Sequence, residues 1–213
     1  MAIRTTNFVP GEYYHIYNRG NSKQRIFHDN ADHHRFLKLL YLANSDTNLA
    51  VRNFNKDIYE IERGNRLVSI GAYCLMPNHF HLLLTPKDEG GLTKFMQKLG
   101  TSYSMYYNNR YERTGTLFEG RFKSGHVGTD RYLKYLFSYI HLNPLKVLNP
   151  TWKEGAMNNS YIEYLNKFKF SSYQEYAGND RPDKAILSSE DFPKYFPNKK
   201  VFYSEISDWV NLA

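Results

Sequence analysis

A chain of 213 residues, 41% of them hydrophobic, can bury a substantial core, and its single cysteine excludes an internal disulfide framework. No apolar run approaches a membrane span, and the opening Met-Ala-Ile-Arg-Thr-Thr-Asn lacks the apolar stretch of a signal peptide, so a cytoplasmic protein without membrane contact is expected. A formal charge of +7 with 19 tyrosines and 14 phenylalanines suits a nucleic-acid surface, where cations neutralise phosphates and rings stack on unpaired bases, but charge alone does not decide it.

Residues 12–18 are rich in strand formers and end at the turn signal Arg19-Gly20-Asn21, so they read as the first strand. His15 within it is either a cleft residue or an ordinary strand histidine. A helix follows over 29–44, with Phe36, Leu39, Leu40 and Ala43 on one face and Asp29 or Asn30 as its cap. Residues 45–66 are polar with weak periodicity and read as an insertion or loop. Residues 67–76 and 79–85 make the second and third strands, joined through Pro77-Asn78. Cys74, inside an apolar strand, reads as a buried structural thiol.

Alternation puts His79 and His81 on one face of the third strand, while Phe80, Leu82 and Leu84 face a core. Two such imidazoles can hold a divalent metal. A lone His-x-His, however, is more often a pair of surface or hydrogen-bonded histidines, and needs a third ligand and a chemical partner elsewhere. Residues 86–91 break the pattern before a second helix to about 111, with Leu92, Phe95, Met96, Leu99, Tyr103 and Tyr106 as its core face. A fourth strand is expected over 117–123. Its Arg121 and Lys123 would share a face, which suits a phosphate track or a solvated edge equally. Residues 100–146 carry seven Arg and Lys against three acids, more than half of the net charge.

The helix between Thr129, its cap, and Pro144, its stop, buries Leu133, Leu136, Phe137 and Ile140. Tyr132, Tyr139 and Asn143 form a second stripe, with Tyr139 and Asn143 four apart on one edge. Packed beside the third strand, this helix can hold the Tyr139 phenol next to a metal on His79 and His81. The Asn143 amide oxygen is then a candidate third ligand. His141 faces elsewhere, as a structural or DNA-facing residue. The order strand, helix, strand, strand, helix, strand predicts an α+β, ferredoxin-like (RRM-like) antiparallel sheet with helices on one face, plus the added Tyr139 helix. A catalytic domain over 1–145 and a mostly helical and irregular extension over 146–213 are expected.

Four stretches in order carry a resemblance: Met-Pro-Asn-His-Phe-His at 76–81, Gly-Thr-Leu-Phe-Glu-Gly-Arg-Phe-Lys-Ser at 115–124, Tyr-Ile-His-Leu-Asn-Pro at 139–144 and Ser-Ser-Tyr at 171–173. Together they resemble the single-tyrosine transposases of the HUH nuclease class, in particular the REP-associated tyrosine transposases and their insertion-sequence relatives. The resemblance implies His79 and His81 as metal-binding histidines, Tyr139 as nucleophile and Asn143 at the third ligand position. It implies a strand-transfer enzyme that cuts single-stranded or hairpin DNA through a 5′-phosphotyrosine with Mg²⁺ or Mn²⁺. It implies a monomer or a homodimer. The competing readings are a domesticated DNA-binding protein without turnover, which has no reason to keep all four residues, and a metal-dependent hydrolase in which Tyr139 only packs.

Overall fold

Alternation along β1 (Tyr14–Arg19) buries Tyr14 and Ile16 on one side and leaves His15, Tyr17 and Arg19 half-buried on the other. This strand pairs antiparallel with β3 (His79–Pro86) and β4 (Lys123–His126), and β3 pairs antiparallel with β2 (Val68–Met76). The sheet order is β2-β3-β1-β4, the ferredoxin-like arrangement that the element order predicts. The computed structural model describes residues 7–47, 57–154 and 156–211. The first six residues and the middle of the expected 45–66 loop lie outside them, and one 3-10 turn, Ile58–Glu60, falls in that loop's described part. Among the described residues no helix is long and apolar enough to cross a membrane.

One face of the sheet is covered by α1 (Asn30–Leu42) and α2 (Gly91–Arg110), whose Phe36, Leu40, Phe95 and Leu99 pack with Ile16, Leu82 and Leu84. Asp29 caps α1 by accepting from the Asp32 N–H at 3.1 Å. The opposite face is covered by α3 (Asp130–Leu142), capped by Thr129 through the Tyr132 N–H. Its Leu133, Leu136, Phe137 and Ile140 pack on Ala72, Cys74, Met76 and Leu83. Covered on both faces, β2 is buried at every position. Burial also raises the Cys74 pKa, which keeps that thiol protonated and inert.

The fourth strand differs from expectation. It runs over Lys123–His126, while 117–122 makes only the isolated bridge Gly20–Phe118. Between that bridge and the Tyr17–Lys123 pair, β1 advances three residues and its partner five. Two residues therefore bulge out, at Gly120, whose φ of 150° favours glycine. The Asn18 side chain donates to the Gly120 carbonyl at 3.0 Å and holds the bulge in place. Leu117 is buried and Phe118 and Phe122 pack against the core, so strict alternation fails over this stretch.

Beyond Asn143 the chain makes α4 (Leu145–Leu148), α5 (Asn159–Lys167), α6 (Tyr173–Tyr176) and α7 (Lys199–Asn211). Residues 170–172 lie along the free edge of β2. The Leu75 N–H donates to Phe170 O at 2.9 Å and the Ser172 N–H to Tyr73 O at 3.0 Å. The Ser172 hydroxyl accepts from the Tyr73 N–H at 2.9 Å and lies 2.8 Å from His141 Nε2. His141 is completely buried, so of its two expected roles the structural one holds. Replacing Ser172 with alanine leaves two buried groups without this partner, at a cost of about 1–3 kcal/mol. Thermal or urea denaturation of Ser172→Ala should show that loss; an unchanged midpoint would mean the hydroxyl contributes nothing to stability.

Candidate active site

Strand register assembles the site on the α3 face of the sheet. Cross-strand partners share a face, so one row holds Met76, His79 and Arg19, and the next Cys74, His81, Tyr17 and Lys123. A third row holds Leu83, His15 and Gly125. The His79 and His81 rings stand perpendicular with centroids 5.0 Å apart. His81 is 6% exposed, and His79 and His15 are half-buried. His15 stacks on His81 at 5.1 Å, with its Nε2 2.9 Å from His81 Nδ1. On the other side, His79 Nδ1 lies 2.6 Å from Asn78 Oδ1.

The Tyr139 ring meets these imidazoles edge-on, 5.6 Å from His81 and 5.9 Å from His15, within one chain. The other tyrosines of α3 are placed differently. Tyr132 is 40% exposed, and Tyr135 packs on Trp209 at 4.8 Å. Two cations flank the Tyr139 ring, Lys146 Nζ at 5.3 Å and Lys153 Nζ at 5.7 Å from its centroid. Sequence reasoning missed both lysines. Their approach depends on the chain turning back after Pro144 and on the 3-10 turn Trp152–Glu154, which no residue spacing announces.

A cleft of about 330 Å³ is lined among others by Tyr17, His79, His81, Tyr139, Lys123 and Lys146. Arg19 at its rim is bonded to Glu119, with Nη2 donating to Oε1 at 2.8 Å. Arg121 is not in this cleft. It lines a larger groove of about 770 Å³ between α2 and residues 115–122, and Asn18 borders both cavities. The bulge at Gly120 thus separates the two cations that alternation alone would place together. Asn143 caps α3 and is buried. Its Nδ2 donates to Tyr139 O at 2.8 Å, and it does not line the cleft.

Burial holds His79 at a pKa of about 4, helped by the charges of Lys146 and Arg19, and holds His15 at about 4. It also pushes His81 well below the usual imidazole range, with His15, His79 and Lys146 adding to the effect. All three rings are therefore neutral at pH 7, and each keeps one nitrogen lone pair. Among the described residues, His81 Nε2 and Asn143 Oδ1 are buried atoms without hydrogen-bond partners. Neutral imidazole nitrogens fit a divalent cation such as Mn²⁺ or Mg²⁺, and the Asn143 oxygen, although outside the cleft lining, is a donor of the kind such a cation takes. Among the described residues no trio of His, Cys, Asp or Glu is arranged to hold one, so further ligands would be amide, water or substrate oxygens.

The family model described as IS200-like transposase matches residues 9–143, from the approach to β1 through the cap of α3. Among solved structures, a REP-associated tyrosine transposase bound to a REP hairpin is similar, with a TM-score of 0.50 and 12% identity. The match covers 86% of this chain and 90% of that one, and at such identity the likeness is one of fold. No curated protein matches the chain significantly.

Neutral buried histidines make stability depend on acid. His15 and His79 sit near 4 and the fully buried His141 near 3, against 6.5 when unfolded. The unfolded chain takes up these protons first, so their contribution is complete above pH 6.5 and lost as pH falls toward 4. Urea midpoints measured at pH 7, 6, 5 and 4.5 should decline in that order; a flat series would show that the rings are charged or exposed.

Proposed function

The chain belongs to the IS200-like transposase family, and on that premise we propose that it is a metal-dependent transesterase that cuts and rejoins single-stranded DNA beside a hairpin. The observation that carries this reading is the Tyr139 ring set edge-on 5.6 Å from His81 of its own chain. The Tyr139 oxygen attacks a backbone phosphorus and the bond to the 3′-oxygen breaks. The phenolic proton is lost, a proton ends on the departing 3′-oxygen, and the protein is left as a 5′-phosphotyrosine. Because the phosphoester is conserved, a second strand's 3′-hydroxyl can reverse the step and join the ends. No nucleotide cofactor enters.

A phenol with an ordinary pKa of ~10 is protonated at neutral pH, and cations close by lower the cost of ionising it. Lys146 and Lys153 supply that charge beside the ring. His79 and His81, with Asn143 Oδ1, would hold Mg²⁺ or Mn²⁺, whose chemistry is to polarise the scissile phosphate and offset the charge on its oxygens. Lys123 in the cleft and Arg121 in the neighbouring groove contact phosphates on either side of Asn18, along the path of the strand. The fold neighbour, which is bound to a REP hairpin, supports the hairpin in this reading. Phenol and imidazoles from one chain support action in cis, so a homodimer is not required. A hydrolase or a binding module without turnover would not need the phenol held against the histidines.

A labelled single strand bearing a hairpin, incubated with Mn²⁺ and run on a denaturing gel, should give a covalent protein–DNA band. Tyr139→Phe should abolish it and His79→Ala should lower its rate by about 10²–10³-fold. An adduct in Tyr139→Phe would remove the nucleophile, and unchanged cleavage in His79→Ala would remove the metal. Lys123→Ala and Arg121→Ala should each weaken single-strand binding by anisotropy and reduce the slope of log K against log salt by about 0.7. An unaltered slope would place that side chain off the strand.

A further inference from the structure

A neutral imidazole carries one N–H and one lone pair, and only the lone pair binds a cation. The partner of the other ring nitrogen decides which is which. We propose that Asn78 and His15 are positioning residues that act as hydrogen-bond acceptors and fix the tautomers of His79 and His81, so that both rings present a bare Nε2 to the metal. This rests on the reading of His79 and His81 as metal ligands.

For His79 the logic is closed by a third group. The Asn78 Nδ2 donates to the Lys23 carbonyl at 3.1 Å, which fixes which way the amide faces. Asn78 Oδ1 is thereby turned to His79 Nδ1, 2.6 Å away. An amide oxygen only accepts, so His79 Nδ1 must carry the proton and Nε2 must be bare. The turn residue before the histidine thus sets its chemistry as well as the chain reversal.

For His81 two rings share one proton across the 2.9 Å contact between His15 Nε2 and His81 Nδ1. Were His15 the donor, His81 Nε2 would carry an N–H. That atom is buried and has no hydrogen-bond partner among the described residues, so the N–H would point at no acceptor among them. With His81 as donor, the same atom is a lone pair that a cation satisfies. His15 is well placed for this service. It lies diagonal to His81 in the register, opposite Leu83, and its other cross-strand neighbour is Gly125, which has no side chain to crowd the ring.

Long-range ¹H–¹⁵N correlation spectra of the metal-free protein read the tautomers directly. Both His79 and His81 should appear protonated at Nδ1, and a His81 protonated at Nε2 would overturn the proposal. Mn²⁺ affinity, followed by electron paramagnetic resonance, gives the second test. His15→Phe and Asn78→Ala should weaken it by about 10–100-fold. His15→Gln and Asn78→Asp, which keep an acceptor, should bind close to wild type. If wild type fails to bind Mn²⁺, or His81→Ala binds as well, the metal reading itself fails. If His81→Ala loses Mn²⁺ while His15→Phe and Asn78→Ala keep it, only the acceptor role fails.

Discussion

The seam between α3 and the sheet is the contact on which the site depends. Leu136, Phe137 and Ile140 press on Cys74, Met76 and Leu83, all nearly or completely buried. Tyr139 lies between Phe137 and Ile140 in sequence, and His81 lies two residues from Leu83. Close packing on either side therefore sets the distance from phenol to imidazole. Reactive groups misplaced by about 1 Å can lose roughly 10²-fold in rate, so the proposed mechanism gives a rigid apolar contact here a functional reason. The same seam buries the histidines enough to keep them neutral, which on the proposed reading joins packing to metal affinity.

The extension after Asn143 takes part in this arrangement. Phe137 is also ringed by Tyr176, Phe192, Tyr195 and Phe196 with centroids 5.7–6.0 Å away, so the extension packs on the same side chain that rests on the sheet. Residues 170–172 close the free edge of β2, and Ser172 ties that edge to His141 on α3. Lys146 and Lys153 come from the same part of the chain. The segment that resembled an appendage braces the tyrosine helix and brings charge to its phenol.

What could be read in the sequence was what local periodicity controls. The His79/His81 face follows from a two-residue repeat, and the limits of α3 from Thr129 and Pro144. Both agree with the structure to within a residue or two. The fourth strand was misplaced because Leu117, Phe118 and Phe122 look like a strand, whereas Gly120 lets two residues bulge and all three rest on the core. The same bulge parts Arg121 from Lys123. The lysines at Tyr139 and the His15 contact behind His81 span 7 to 66 residues, for which sequence has no ruler, and Asn78, although next to His79 in sequence, is oriented by the distant Lys23 carbonyl. Asn143 is an intermediate case. Helical spacing put it beside Tyr139, but its amide turns back to the Tyr139 carbonyl, and only its partnerless oxygen is left for a cation.

One chain supplies both the phenol and the imidazoles of its own candidate site. Mixing Tyr139→Phe with His81→Ala, each inactive alone, tests it. If the site is built within each chain, the mixture forms no covalent protein–DNA adduct at any ratio. Recovery of adduct in the mixture would show that the tyrosine of one chain serves the histidines of another, and would contradict the arrangement described.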